Sequence, residues 1–85
     1  MIITREEIQN KLLEIFEVNF EIKNPGLDDN LREEHGFDSI DAIELLTEIE
    51  KMMGLILSHE QKKQAMNIRT INQICDYIES LEKVI

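Results

Sequence analysis

The hydroxyl of Ser39 is the group in this chain whose position most suggests chemistry. It lies in "GFDSIDAIELL", residues 36–46, where a glycine-containing loop gives way to a helical pattern. Asp38 can cap that helix, so Ser39 is not needed as the N-cap and becomes the first helical residue. A phosphate esterified to Ser39 would lie beside unpartnered backbone N–H groups, at the positive end of the helix dipole. The position suits a phosphodiester, and a doubled cap of aspartate and serine is the alternative.

Nucleophilic catalysis does not fit the same stretch of sequence. His35, Asp38 and Ser39 are the residue types of a catalytic triad, but they lie within five consecutive positions. In so short a segment the acid cannot orient the base against the nucleophile, and no G-x-S-x-G turn exposes the serine. We therefore do not expect nucleophilic catalysis by Ser39.

A metal site is not predicted either. Asp28, Asp29 and Asn30 look faintly like the start of a calcium-binding loop, but the alternation of ligands breaks off and no glycine lies at the required turn. His35 and His59 have no ligand partners at metal-binding spacing. We expect both histidines to be exposed loop or cap residues.

Four segments begin with residues that start helices. Asp38 begins one of them, and the other three begin with a serine or threonine followed three positions later by glutamate or glutamine, which is a capping box. The pairs are Thr4 with Glu7, Ser58 with Gln61, and Thr70 with Gln73. Apolar residues then recur at helical spacing, and Ile3 is placed to pack as a staple on Ile8. The predicted helices span 4–20, 38–53, 58–67 and 70–83.

These helices predict an all-α fold, a small four-helix bundle with a short third helix, in a single domain of residues 1–85. The apolar–polar alternation of a strand is not sustained anywhere. Residues 23–36 contain the only proline and predict a long loop between the first and second helices. Leu27, Leu31 and Phe37 are expected to fix this loop to the core.

The composition limits the kinds of partner. Acidic residues outnumber basic ones by 18 to 9, and the net charge of −9 argues against nucleic acid and anionic membranes. A hydrophobic content of 42% is too high for a disordered acidic tail. Cys75, the only cysteine, cannot form an internal disulfide, which indicates a reducing compartment. There is no apolar run of roughly 20 residues for a membrane span and no recognisable signal peptide. We expect a cytoplasmic monomer.

The helix that follows Ser39 has two different faces. One half is apolar, while Asp41, Glu44 and Glu48 gather on a narrow sector of the other half, where residues 44 and 48 repel each other. An ordinary solvated face explains such a sector as well as a docking surface does. On the last predicted helix, Cys75 is expected to be buried and Tyr77 to lie at the surface.

The stretch "GFDSIDAIELL" resembles the phosphopantetheine attachment motif of acyl carrier proteins, Asp-Ser-Leu/Ile followed by an acidic helix. The resemblance covers nearly the whole chain, because Glu44, Leu45, Leu46 and the order of the helices also match. It implies that a phosphopantetheinyl transferase moves 4'-phosphopantetheine from coenzyme A to Ser39. It also implies a carrier that holds acyl groups as thioesters on this arm and is not itself an enzyme.

The resemblance assigns further roles to residues of the chain. In the family, acidic residues near the motif dock on basic patches of acyl-loading, acyl-transferring and condensing enzymes, and the matching residues here are Asp38, Asp41, Glu44 and Glu48. In the family, an acyl chain can also enter the core between the helices. The matching lining would be Ile43, Leu46, Ile49, Met53, Ala65 and Ile68.

The segment 54–70 departs from the family pattern. It is longer by about one helical turn, and Lys62, Lys63 and Arg69 accompany a single glutamate. We therefore expect a specialised carrier, for a polyketide or other secondary metabolite or for lipid modification, rather than one of housekeeping fatty acid synthesis. An aminoacyl or peptidyl carrier of the same chemistry is one alternative. A cofactor-free acidic helical adaptor is the alternative from a different class of protein.

Overall fold

The computed structural model describes residues 4–84, and the regular structure of this part is helical. The helices are α1 (Arg5–Phe20), α2 (Leu31–His35), α3 (Ser39–Met53), α4 (His59–Ala65) and α5 (Ile71–Val84). The predicted all-α architecture is confirmed, with four main helices and one additional short helix. None of these helices has the length and apolarity that a bilayer crossing requires.

The predicted capping residues start the helices, each of which begins one residue later than predicted. At α1, the Thr4 side chain accepts a hydrogen bond from the backbone N–H of Glu7 at 3.2 Å. At α4, the Ser58 hydroxyl accepts from the Gln61 N–H at 3.1 Å, and the Gln61 side chain accepts from the Ser58 N–H at 2.8 Å. The predicted packing of Ile3 as a staple lies outside the described residues.

The α4 helix ends at Ala65, two residues before its predicted end. The next three amides bond to carbonyls only three residues back, and the last of them is the Ile68 N–H, which donates to the Ala65 carbonyl at 3.1 Å. Met66 N–H donates to the Lys63 carbonyl at 3.2 Å, and Asn67 N–H donates to the Gln64 carbonyl at 3.4 Å. This tighter turn closes the helix and leads the chain towards α5.

The start of α5 is confirmed, but one prediction about its surface is wrong. Thr70 Oγ1 accepts from the Gln73 N–H, and Gln73 Oε1 accepts from the Thr70 N–H, each at 3.1 Å. Cys75 is fully buried, as predicted. Tyr77 is only 9% exposed, so the prediction of a surface tyrosine is wrong. Its ring can be buried because its hydroxyl donates to the Gln61 carbonyl at 2.6 Å, which satisfies the polar end.

The core is formed where α1 packs against α3 and α5. Side chains spaced three or four residues apart lie on one face of each helix, and this spacing creates the buried faces. The largest fully buried side chains are Ile8, Leu12, Phe16, Leu31, Ile49, Ile71, Ile74, Ile78 and Cys75.

The linker between α1 and α3 is fixed to the rest of the molecule. The Leu31 N–H donates to the Arg69 carbonyl at 2.8 Å, and the Asn72 N–H donates to the Leu27 carbonyl at 3.0 Å. Leu31 and Phe37 are buried and Leu27 is half-buried. The expectation that these three residues hold the linker against the core is therefore confirmed.

The α2 helix lies inside the predicted loop and was not predicted. Asn30 caps it, because its side-chain oxygen accepts from the N–H groups of Arg32 and Glu33 at 3.1 and 3.0 Å. Gly36 ends it in the left-handed region, with φ of 67°. A helix of five residues is too short to show a helical period in the sequence.

Candidate functional site

Ser39 is the first residue of α3, and its side chain is exposed. The cap before it is Asp38, whose Oδ1 accepts from the N–H groups of Ile40 and Asp41, both at 3.0 Å. The Asp41 carboxylate in turn accepts from the Asp38 N–H at 3.2 Å, which completes a capping box. Within residues 4–84 the Ser39 hydroxyl makes no hydrogen bond. Asp38 therefore caps the helix and leaves the serine hydroxyl free to react.

These hydrogen bonds contradict one expectation from the sequence, which concerns the first-turn amides of α3. A phosphate on Ser39 was expected to find unpartnered amides in the first turn of the helix. The Ile40 and Asp41 amides are already occupied by the Asp38 carboxylate. A negative charge at Ser39 would therefore gain little from these two amides, and cations from outside α3 would stabilise it further.

Phe37 fixes the position of Ser39 relative to the core. Its ring lies 5.2 Å from that of Phe16 and 5.3 Å from that of Phe20, measured between centroids. Its N–H donates to the Leu31 carbonyl at 3.0 Å. Because Phe37 is anchored two residues before Ser39, the start of α3 is held in a defined place on the surface.

The acidic residues of α3 differ in their surroundings. Glu44 is exposed, whereas Asp41 is half-buried and belongs to the capping box. Glu48 is also half-buried and lies 3.6 Å from the ammonium group of Lys51, one turn along the helix. Of these three residues, only Glu44 makes no hydrogen bond or ion pair with another side chain within residues 4–84.

A small cavity of about 30 Å³, here called the arginine cavity, opens beside Ser39. Its walls come from α2, the start of α3 and the turn between α4 and α5. They include Arg32, Phe37, Asp38, Ser39, Ile68 and Arg69. Sequence reasoning missed the two arginines, because no motif or spacing connects them with Ser39.

A second cavity, here called the interior cavity, lies between α3, α4 and α5 and has a volume of about 20 Å³. Four of the predicted acyl-lining residues meet here, which are Leu46, Ile49, Ala65 and Ile68. Phe37 and Tyr77 also line it. A cavity of this size holds roughly one water molecule. An acyl chain can enter the core only if the helices separate.

The other two predicted acyl-lining residues lie elsewhere. Ile43 is 59% exposed and lines an open groove of about 280 Å³ between α3 and α4. Leu46, Glu50, His59, Lys62 and Lys63 also line this groove, here called the α3–α4 groove. Met53 is half-buried against the core and lines neither this groove nor the interior cavity. The predicted pocket is therefore divided between the α3–α4 groove and the small interior cavity.

The other reactive groups of the molecule are held in inert surroundings. Cys75 is fully buried, and burial raises the pKa of its thiol, so the reactive thiolate is disfavoured. Burial also raises the pKa of Tyr77, with a smaller contribution from Glu50. Tyr77 therefore stays protonated and keeps donating to the Gln61 carbonyl.

His35 is not the exposed residue that was predicted. Its Nε2 lies 3.2 Å from an Asp29 carboxylate oxygen, and its side chain is 25% exposed. Asp29 also accepts from the Gly26 N–H at 2.8 Å. This backbone bond and the contact with His35 lower the pKa of Asp29. Glu34 comes within 4.8 Å of the same groups. The hydrogen bonds of Asp29 to Gly26 and His35 indicate a structural role, which is to anchor the linker.

Comparison with known families identifies this arrangement. The sequence pattern described as the phosphopantetheine attachment site matches residues 6–78. The chain belongs to this family of carrier domains, whose members are not catalysts. No curated protein matches the chain. The prosthetic group of this family is 4'-phosphopantetheine.

The residues at the start of α3 fit this group. Attachment requires an accessible hydroxyl, and Ser39 is exposed with its hydroxyl free of hydrogen bonds in the described part of the chain. The group also carries a negative phosphodiester, and the arginine cavity places two guanidinium-bearing residues around Ser39.

Proposed function

We propose that this chain carries acyl groups on a 4'-phosphopantetheine arm attached to Ser39 and presents them to partner enzymes. The observation that supports Ser39 is the division of roles at the start of α3. Asp38 satisfies the first-turn amides at 3.0 Å, and the adjacent serine keeps a free, exposed hydroxyl. Ser39 also lies inside the part of the chain that matches the family.

In the attachment reaction, the Ser39 oxygen acts as the nucleophile. It forms a bond to the phosphorus next to pantetheine in coenzyme A, and the bond from that phosphorus to adenosine 3',5'-bisphosphate breaks. The hydroxyl proton passes to a base of the phosphopantetheinyl transferase, since no residue bonds the hydroxyl within residues 4–84. When bound, the group supplies a terminal thiol that holds the cargo as a thioester.

The partners proposed are the transferase and enzymes that load, transfer or condense acyl groups. Asp38, Asp41, Glu44 and Glu48 would meet basic patches on these enzymes. The net charge of −9 favours encounter with basic surfaces. A cytoplasmic location belongs to the same proposal and is supported by the buried, unpaired Cys75.

The apolar walls of the α3–α4 groove and the interior cavity support an acyl cargo. Ile43 and Leu46 line the groove, and Leu46 also lines the interior cavity. An aminoacyl or peptidyl cargo is the second candidate. It is favoured by the small volume of the interior cavity, about 20 Å³, because such a cargo can stay in solvent.

A specialised pathway, such as secondary metabolite synthesis or lipid modification, is the third part of the proposal. Its support is the position of Lys62 and Lys63, which line the α3–α4 groove where a cargo would approach. A partner that presents its own lysines and arginines there would be repelled.

The test of attachment is the intact mass of the protein after incubation with coenzyme A and a broad-specificity transferase. We expect the mass of one phosphopantetheine to be added to the wild type and to Ser80→Ala, and nothing to be added to Ser39→Ala. Ser39→Ala should keep its fold, because Asp38 still caps α3. A modified Ser39→Ala protein would relocate the site, and an unmodified wild type would favour the cofactor-free adaptor.

A further inference from the structure

We propose that Arg32 and Arg69 form a binding site for the phosphodiester of the arm, at the mouth of the arginine cavity beside Ser39. The site would hold the first, charged part of the arm against the protein and leave the rest mobile. This inference rests on the proposed attachment to Ser39. The ligand class is a phosphate diester that is covalently joined to the protein.

The fold brings the two arginines together from distant parts of the sequence. The Leu31 N–H donates to the Arg69 carbonyl at 2.8 Å, so the first residue of α2 touches the turn before α5. Arg32 is the next residue after Leu31. Both arginines then line the same cavity as Ser39.

Arg69 is held in place by the backbone of its own turn. Its Nη1 donates to the carbonyls of Met66 and Ile68 at 2.9 and 3.0 Å. Its Nε and Nη2 make no hydrogen bond to the described residues, and no carboxylate pairs with it there. A guanidinium group has five donors, so this arrangement leaves donors for a phosphate oxygen.

The two arginines would stabilise the phosphodiester, because the other charged groups near Ser39 are negative. Asp38 lines the same cavity, and its carboxylate already occupies the Ile40 and Asp41 amides. A negative group on Ser39 would add to the charge of Asp38 and of the nearby Asp41. Arg69 is half-buried, so its charge is screened less by salt than that of an exposed residue. Arg32 is exposed and adds a second, weaker attraction.

The experiment compares apo and holo protein within each variant, which removes the effect of a substitution on the fold alone. The melting temperatures of both forms are measured for the wild type, for Arg32→Gln with Arg69→Gln, and for a charge-matched control. The control is Lys11→Gln with Lys23→Gln, since neither lysine lines the arginine cavity. The phosphorus resonance of each holo protein is recorded as a second readout that does not depend on stability.

We expect the holo-minus-apo difference in melting temperature to fall by about 2–8 °C in the double arginine variant at low salt. The control should keep the wild-type difference, and roughly 1 M salt should reduce the effect. The phosphorus resonance should move in the arginine variant and not in the control. If the double variant does not fold, Arg32→Gln and Arg69→Lys are measured singly.

The outcomes separate this inference from the proposed function. If the wild type gains no arm, or gains it at another serine, the proposed attachment itself fails. If the arm is on Ser39 but the arginine variant matches the control in both readouts, the arginines serve only the linker and the turn, and this inference is wrong.

Discussion

At the level of single residues, Asp38 and Ser39 perform separate tasks at the start of α3. The carboxylate caps α3, and the hydroxyl is left without a partner in the described residues. Sequence reasoning predicted this division, because an N-cap and its neighbour can be read from local chemistry. It could not identify the capping role of the Asp41 side chain or the two arginines near Ser39. Those contacts depend on side-chain placement and on chain segments that meet only in the folded molecule.

Asp29 provides a prediction about pH. Its pKa is lowered by the Gly26 amide and by His35, so the folded state prefers the carboxylate more than the unfolded state does. The resulting stability is present above the ordinary pKa and is lost as pH falls through the folded value. Asp29→Ala should therefore melt below the wild type near neutral pH, and this gap should close in acid.

Thermal melts across the pH range test this prediction. Glu17→Ala, which removes an exposed carboxylate from α1, is the control and should show little change. A gap between wild type and Asp29→Ala that is equal at about pH 7 and about pH 3 would show that the carboxylate charge is irrelevant to the linker.

At the level of the helices, the sequence predicted starts and ends about equally well, and the end of α4 is the largest error. Capping residues lie next to one another in the chain, so all four main helix starts were placed within one residue. The end of α4 depends on where the following turn must reach α5, and the prediction was two residues too long. The surface position predicted for Tyr77 failed for a similar reason. Its hydroxyl partner, the Gln61 carbonyl, lies on another helix.

The acidic residues Glu44 and Glu48 of α3 are predicted to control docking. We expect Glu44→Lys with Glu48→Lys to slow modification by the transferase roughly tenfold at low salt, because steering between opposite charges is lost. Asp41 is left unchanged, since it also caps the helix. The measurement is the initial rate of arm transfer at low and high salt.

The control is Glu6→Lys with Glu17→Lys, which changes the net charge equally at exposed positions of α1. It should slow the transferase much less than the α3 variant. Equal slowing by both variants would mean that overall charge, and no particular face, governs the encounter.

The lysines of α4 are predicted to exclude general elongation enzymes. We expect a housekeeping ketosynthase to use the wild-type holo protein poorly and Lys62→Glu with Lys63→Glu several-fold better. Like charges facing each other across an interface suppress wrong partners. Elongation rates on the two proteins at equal loading are the measurement, with Lys11→Glu with Lys23→Glu as the charge-matched control. Equal and efficient elongation would return the protein to the housekeeping class, with the lysines acting only as surface residues worth ~0–1 kcal/mol.

At the level of the whole molecule, the predicted helix order was correct, but the volume of the core could not be predicted. Volume depends on how side chains from α3, α4 and α5 fit together, and the interior cavity is only about 20 Å³. Four predicted lining residues do meet there, since apolar residues on facing helices must converge. Ile43 does not, because it lies on the exposed side of α3.

Cargo length is predicted to affect stability in two stages. Short acyl chains should leave the melting temperature of the holo protein unchanged, because the interior cavity, at about 20 Å³, has no room for them. Longer chains should raise it once burial, at roughly 0.8 kcal/mol per methylene, exceeds the cost of separating α4 from α3 and α5. Melting temperatures of a series of acylated proteins provide the test.

Tyr77→Phe is the matched variant for this series. It removes the hydrogen bond between α5 and α4, and we expect stabilisation to begin at a shorter chain length than in the wild type. If every acylated form melts with the holo protein in both backgrounds, the cargo stays in solvent, as the aminoacyl alternative implies.

Ile68 lines both the arginine cavity and the interior cavity. A cargo that displaces Ile68 on entering the core would therefore also change the wall of the cavity beside the arm. Thermodynamic linkage makes such coupling reciprocal, so holding the phosphodiester at the mouth of the arginine cavity would alter the affinity of the core for its cargo by the same factor. Partner enzymes could then distinguish a loaded carrier from an empty one at the start of α3, without contacting the cargo. Amide resonances of Ser39 and Arg69 that shift with cargo length would show this communication, and Ile68→Ala should weaken it.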